Sequence, residues 1–279
     1  MHHKIEMKIN RILIPCDLKE DSYNALNHAA FIGREENAEL ILLHVVSNEK
    51  NRAEAKIELQ AWAEQLQQGY LGMVKTLIEV GDFIELITQV ATRENCELVV
   101  MPTHGMRGMQ RITGSLALKV VSEGHLPFVV VQKRAVREHG YKKMVIPISD
   151  RPALLEELEI FTSLAKHFTS EVHLVVRKEN DSHEIQTFEA VRSAFEKTGI
   201  SLHIHFESHI VSFAKHVSTY AASVDADIIC AVNFSFEYLY TLFPRTEEED
   251  LIYNEAQIPV LLVTPQQSEN AQYFIPMWH

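Results

Sequence analysis

The sequence predicts an α/β protein made of two similar doubly wound domains, each built on a five-stranded parallel sheet. Apolar runs rich in β-branched residues alternate with segments of helical periodicity, and the runs recur in order at a nearly constant separation. The length of 279 residues suits two domains of about 140 residues each. We therefore predict one domain over residues 1–137 and a second over 138–279, with the boundary in the charged stretch 134–141.

Four pairs of apolar runs carry the repeat. Pro15, in KINRILIPCD, aligns with Pro147, in YKKMVIPISD, 132 positions later, and ELILLHVV (39–46) aligns with EVHLVVR at the same separation. The run ELVVMPT recurs as DIICAVN after 130 positions, and LPFVVVQ recurs as IPVLLVT after 132. Agreement within two positions indicates a duplication.

Helical periodicity lies between these runs. We predict helices over Ser22–Asn37 and over Asp82–Glu94, the second with Asp82 as its N-cap, and a matching apolar stripe from Phe213 to Ala221. Each half then has the order β-α-β-α-β-α-β-α-β. In such sheets ligands bind at the carboxyl ends of strands, where the strand order reverses.

Composition and charge narrow the classes of function. Apolar residues make up 46% and charged residues 23% of the chain, and no apolar run approaches the ~18 residues that span a membrane. Met1–Lys8 lacks the features of a secretion signal, and three separated cysteines predict buried, reduced thiols. We expect a cytoplasmic protein without a membrane partner.

The negative charge is concentrated in the second half. Residues 1–140 hold 16 Lys and Arg against 18 Asp and Glu, whereas residues 141–279 hold 10 against 20. Because an acidic surface repels the phosphate backbone, we expect no nucleic-acid partner.

A glycine-containing loop follows the fourth predicted strand. Glycines allow a backbone to approach phosphate oxygens, and the start of the helix at Ser115 favours an anion. The candidate residues are Gly105, Gly108, Gly114 and Ser115, with Arg107 and Arg111 adding positive charge. The alternative is that the glycines only turn the chain and that Ser115 only caps its helix.

Five motifs together resemble those of universal stress proteins: ILIPCD, the GD before the third helix, ELVVMPTHG, the GS that begins the last helix, and LPFVVVQ. The resemblance covers residues 9–134 closely and 141–265 more faintly, which implies a tandem member with two adenine-nucleotide alpha hydrolase-like domains. It implies the strand order 3-2-1-4-5 in each half. We expect Phe128–Val131 and Val260–Val263 to pair across a pseudo-two-fold axis, giving an intramolecular pseudo-dimer that could dimerise further.

The resemblance also implies an adenine nucleotide, ATP or AMP, over the ends of the first and fourth strands. In the loop pattern G-x2-G-x9-G-[ST], the second glycine matches Gly105, the third matches Gly114, and the hydroxyl matches Ser115. Asp17 matches the acid that faces adenine and ribose. Pro102 replaces the first glycine, and the spacer Met106–Thr113 has eight residues instead of nine. The full set of candidate binding residues is Pro15, Cys16, Asp17, Val45, Met101, Thr103, Gly105, Gly108, Gly114 and Ser115.

The second half lacks this loop. Residues 233–250 contain no glycine, and the acidic run Glu247–Asp250 stands where the phosphate-binding helix would begin. Five aromatic residues within 234–243 either fill the vacated cleft or form an exposed surface for a partner. We expect nucleotide in the first half only.

Two classes of function remain. One is a stress-response or regulatory protein that binds an adenine nucleotide, and the other is a nucleotide-free scaffold for an unidentified protein partner. The sequence shows no water-activating carboxylate and no metal motif, so we assign no catalytic residue and predict no metal. His203 and His205 share one face of a strand; we interpret them as the solvent-facing side of an edge strand, with a zinc site as the alternative.

Overall fold

The computed structural model describes residues 8–102, 126–148, 158–177, 182–207, 213–232, 251–252 and 254–263. The first half contains β1 (Arg11–Pro15), α1 (Glu20–Gly33), β2 (Glu39–Val46), α2 (Arg52–Gln67), β3 (Val74–Val80), α3 (Phe83–Arg93), β4 (Leu98–Pro102) and β5 (Phe128–Val131). The second contains β6 (Lys143–Ile148), α4 (Leu158–His167), β7 (Glu171–Arg177), α5 (Ser182–Glu196), β8 (Leu202–Glu207), α6 (Phe213–Ser223), β9 (Ile228–Val232) and β10 (Val260–Val263).

All ten strands form one sheet in the order β3-β2-β1-β4-β5-β10-β9-β6-β7-β8. Each half has the predicted order 3-2-1-4-5, and its own strands are parallel. β5 and β10 pair antiparallel, with Val260 opposite Val130. The predicted pairing of the final strands is confirmed, and it covers two apolar strand edges that would otherwise be open.

The strand register repeats at the separations found in the sequence. The β1–β2 partners Arg11 and Glu39 recur as Lys143 and Glu171, 132 positions later at both residues. The β1–β4 pair Ile12↔Leu98 recurs as Met144↔Ile228, and the β4–β5 pair Val99↔Phe128 recurs as Ile229↔Val260. The shift is 132 positions for the residues of β1 and β5 and 130 positions for those of β4. The outer ladder differs, because Val74 of β3 is replaced by Leu202 of β8, only 128 positions later.

The sheet has a buried core on each face. One cluster joins the strands to α1, α2, α4 and α5, and the other joins them to α3 and α6. Both clusters contain residues of both halves. The doubly wound prediction is thus confirmed, and the two halves share their hydrophobic cores.

The first helix is shorter than predicted. It ends at Gly33, and Asn37 has a φ of 52°. That left-handed conformation, which asparagine tolerates well, is incompatible with continuing the helix. The Asp82 N-cap is confirmed, since its Oδ1 accepts hydrogen bonds from the backbone N–H groups of Ile84 and Glu85.

The solvent-facing interpretation of the β8 histidines is confirmed for His203, whose side chain is 51% exposed, but holds only in part for His205, at 39%. β8 is an edge strand, but the ring of His205 stacks on Tyr220 of α6 at 4.4 Å between centroids. The opposite face is also exposed, with Ile204 at 39% and Phe206 at 54%. Helix α6 therefore covers His205 in part and leaves His203 open to solvent.

Two further expectations concern the cysteines and the membrane. All three cysteines are buried and unpaired, as predicted. Among the described residues, none of the helices has the length and apolarity required to cross a bilayer.

Candidate functional site

The candidate site lies at the carboxyl ends of β1, β2 and β4, where the chain order of the first half reverses across β1. Pro15 is the buried last residue of β1. Val45 lies one residue before the end of β2, and Met101 one residue before the end of β4. These three positions therefore meet at one edge of the sheet. The other loop candidates, Thr103, Gly105, Gly108, Gly114 and Ser115, lie outside the described residues.

Cys16 fixes the chain as it leaves β1. Its backbone N–H donates to the carbonyl of Leu43 at 2.8 Å, and its Sγ lies 3.6 Å from the same oxygen. Burial raises the pKa of the Cys16 thiol far above its usual range, and the neighbouring Asp17 raises it further. A thiol held protonated is a poor nucleophile, so Cys16 serves to position the loop.

Asp17 is held in one orientation by the start of α1. Its Oδ1 accepts hydrogen bonds from Ser22 Oγ at 2.6 Å and from the Lys19 backbone N–H at 3.1 Å. Ser22 Oγ in turn accepts the Asp17 backbone N–H at 3.2 Å. Leu18, between these residues, has a φ of 60°, a strained left-handed conformation that reverses the chain.

The second carboxylate oxygen of Asp17, Oδ2, is buried, and among the described residues its partner is the Lys19 ammonium. Lys19 Nζ lies 3.0 Å from it, and the Asp17 side chain is 6% exposed. An ionised carboxylate oxygen has room for more than one donor, so the ion pair with Lys19 leaves acceptor capacity on Oδ2. A ligand that carries N–H or O–H donors would use that capacity.

His44 belongs to the same edge, and the sequence reasoning missed it. Its Nδ1–H donates to the Cys16 carbonyl at 2.8 Å, which ties β2 to the loop that carries Asp17. The available signal was a polar residue inside the apolar run ELILLHVV. Ser22 was also missed as a contributor to the site; it is fully buried, unusual for a hydroxyl at the start of a helix.

The corresponding positions of the second half lack this chemistry. Adding 132 to Asp17, Ser22 and His44 gives Ser149, Leu154 and Val176. The sequence of the second half therefore has no carboxylate and no imidazole at these aligned positions, although Asp150 follows Ser149 by one residue. This difference supports the predicted asymmetry, independently of the loop.

The fold and this edge define a duplicated, doubly wound α/β protein whose candidate site lies where the strand order reverses. Residues 8–132 match the model of the universal stress protein family. Universal stress protein MJ0531 of Methanocaldococcus jannaschii is 31% identical over 139 residues, which cover 44% of this chain and 82% of that protein. MJ0577 of the same organism is 27% identical over 156 residues, covering 44% and 95%.

A solved structure resembles nearly the whole chain. The crystal structure of a universal stress protein from Archaeoglobus fulgidus DSM 4304 aligns with a TM-score of 0.75 at 17% identity, covering 92% of this chain and 97% of that one. At that identity the likeness establishes the fold alone. Taken with the match to MJ0531, it leads to one conclusion: the chain belongs to the universal stress protein family.

Proposed function

We propose that the first half binds one adenine nucleotide, ATP or AMP, and that the chain is a cytoplasmic regulatory protein of the stress response, with domains at 1–137 and 138–279. The observation that carries the proposal is the buried Asp17 carboxylate, whose Oδ1 is oriented by Ser22 and whose Oδ2 is engaged among the described residues by the Lys19 ammonium alone. Membership of the universal stress protein family and the reversal of strand order beside β1 support the same location.

The chemistry of the edge suggests how the nucleotide would be oriented. Ribose hydroxyls and the adenine amino group are hydrogen-bond donors, which suit a carboxylate. Phosphates would be repelled by Asp17 and must lie away from it. The loop after β4, with Gly105, Gly108 and Gly114 beside Arg107 and Arg111, offers the backbone access and the positive charge that phosphates need.

Calorimetric titration of the intact chain with ATP and AMP tests the proposal, together with mass spectrometry of small molecules released from the purified protein. We expect one site per chain.

Gly114→Glu should abolish binding, because a side chain and a negative charge would occupy the phosphate position. Asp17→Asn should weaken binding roughly tenfold or more, since a hydrogen bond to a charged group contributes about 1.5–3 kcal/mol.

Ser149→Ala, at the corresponding position of the second half, is the matched control and should leave the affinity unchanged. Two sites per chain, or full affinity in Gly114→Glu, would contradict the assignment of the site. If neither nucleotide binds and none is released, the nucleotide-free scaffold becomes the function to pursue. No residue is assigned a catalytic role.

A further inference from the structure

Three ligand-type side chains converge at the opposite edge of the sheet, on the outer strands of the second half. Glu171 and His173 lie two residues apart on β7 and so share a face, and His203 on β8 is the register partner of His173. The rings of the two histidines stack at 4.6 Å between centroids. One ligand atom from each of the three residues lies within 4.8 Å of the others.

The distances approach those of a metal coordination sphere. His173 Nε2 lies 3.3 Å from Glu171 Oε1, and His203 Nε2 lies 4.0 Å from Glu171 Oε2. Ligand atoms bound at about 2.1 Å around a tetrahedral ion are about 3.4 Å apart. The first distance already fits, and a modest rotation of His203, which is 51% exposed, would close the second. We propose that Glu171, His173 and His203 bind a zinc ion, with water as the fourth ligand.

Tyr220 provides the second-layer contact that such sites use. Its hydroxyl lies 3.0 Å from His173 Nδ1, and the His173 side chain is only 8% exposed. A ligating histidine commonly donates its other ring N–H to an oxygen, which fixes the ring orientation and the tautomer. The Tyr220 hydroxyl can accept that N–H when Nε2 binds a metal, and can donate to Nδ1 when Nε2–H faces Glu171.

The net negative charge of the second half favours a bound cation, but the ammonium of Lys143 competes with it for Glu171. The second half carries 10 Lys and Arg against 20 Asp and Glu, so its field attracts positive ions. Lys143 Nζ lies 3.6 Å from Glu171 Oε1 and also donates to the Val224 carbonyl at 3.0 Å. A bound ion would displace the ammonium from Glu171. Because two imidazoles and one carboxylate suit zinc better than magnesium or calcium, we assign zinc.

The duplication provides an internal comparison. The residue of the first half that corresponds to Glu171 is Glu39, which pairs with Arg11 at 2.9 Å. The positions of the two histidines are taken by Ile41 and Lys75, as the β2–β3 and β7–β8 registers show. The first half therefore retains the carboxylate and its cationic neighbour but has neither imidazole.

Two measurements on the full chain test the proposal. One is calorimetric titration with zinc, and the other is visible absorption spectroscopy of the chain with cobalt(II) in place of zinc. The sequence contains 15 histidines, so the informative quantity is the difference between variants. His203→Gln and Glu171→Gln should each lose one zinc equivalent and the absorption of a tetrahedral cobalt centre. His216→Gln, which removes a histidine of α6 whose side chain is 41% exposed, is the control and should keep both.

Two further variants test the roles of the neighbours. Lys143→Gln should tighten zinc binding several-fold, because it removes the competing ammonium. Tyr220→Phe should weaken binding about tenfold, the lower end of the effect of losing a second-layer partner. Equal zinc stoichiometry and an unchanged cobalt spectrum in His203→Gln would overturn the proposal. His203 is half exposed, so circular dichroism should show that this variant is folded.

Discussion

At the scale of single residues, His28 of α1 makes a buried polar contact between the halves. It is 1% exposed, its Nε2–H donates to the Arg134 carbonyl at 2.9 Å, and its Nδ1 accepts from the Tyr141 hydroxyl at 2.5 Å. Both nitrogens are used by the neutral ring. Burial lowers the pKa of His28 from 6.5 to about 4, against the opposing effect of the Arg134 carbonyl.

The first residue-scale prediction concerns the pH dependence of stability. Unfolded His28 titrates near 6.5 and folded His28 near 4, so the unfolded state binds the extra proton between these values. The contribution is fully present above about pH 6.5 and is lost as the pH falls toward 4, a loss of about 3 kcal/mol. Urea unfolding at pH 7 and pH 4.5 should show this loss in the parent chain.

His28→Gln is the test variant and should reduce that pH dependence, whatever its stability at pH 7. His216→Gln, which removes a histidine whose side chain is 41% exposed, should retain it. An identical pH slope in parent and His28→Gln would show that His28 is not the titrating group.

At the scale of elements, two neighbouring helices of the first half begin differently. The Asp82 side chain satisfies two backbone N–H groups of α3, at 2.9 and 3.3 Å from its Oδ1. Asn51 occupies the N-cap of α2 and makes no such side-chain bond. The residue types alone would suggest two good caps, but only Asp82 has the extended backbone conformation that directs its side chain back over the helix.

Alanine substitution at each N-cap tests whether residue type or backbone conformation determines how much a cap stabilises its helix. Asp82→Ala should lower the free energy of unfolding by about 1 kcal/mol, because two N–H groups lose their partner. Asn51→Ala should change it by only a few tenths of a kcal/mol. Chemical denaturation of the two variants and of Asp82→Ser, which keeps a capping oxygen, measures the difference. Equal losses in the two alanine variants would contradict this account.

At the scale of the whole molecule, the halves are joined by more than the strand pair β5–β10. Arg137, in the connecting segment, forms ion pairs with Asp225 and with Asp227, the latter at 3.1 Å. Phe31 of α1, Tyr141 and Phe168 form an aromatic cluster with centroids 5.1 to 6.2 Å apart. With both cores shared, we expect the chain to unfold in one cooperative transition.

The sequence predicted this architecture well because the duplication repeats wherever strands are buried. The separations of 132 and 130 positions reappear in the strand register, since an apolar strand shifted by one residue would turn its core side chains to solvent. Residues whose role depends on tertiary contact were not predictable in this way. His44 and Ser22 acquire their roles only through the loop conformation at Leu18. Glu171 meets His203 only through the β7–β8 pairing, and the connection before β8 is four residues shorter than its counterpart before β3, so the 132-residue repeat did not align these positions.

The final prediction concerns Gly140, where the connecting segment passes the aromatic cluster. Its φ is +70°, and an added Cβ would overlap the ring of Phe31. Gly199 has a φ of +74° but has no atom within 4 Å of the same added Cβ, so it is a matched control that isolates the steric contact. Gly199→Ala should cost about 1–2 kcal/mol from backbone strain alone, whereas Gly140→Ala should cost about 2–4 kcal/mol, because the ring must also move. Since Phe31 belongs to the core that both halves share, urea unfolding should show the larger loss as a lower midpoint of one transition. Equal losses in the two variants would contradict the steric account, and a second transition in Gly140→Ala would show that the shared cores alone do not couple the halves.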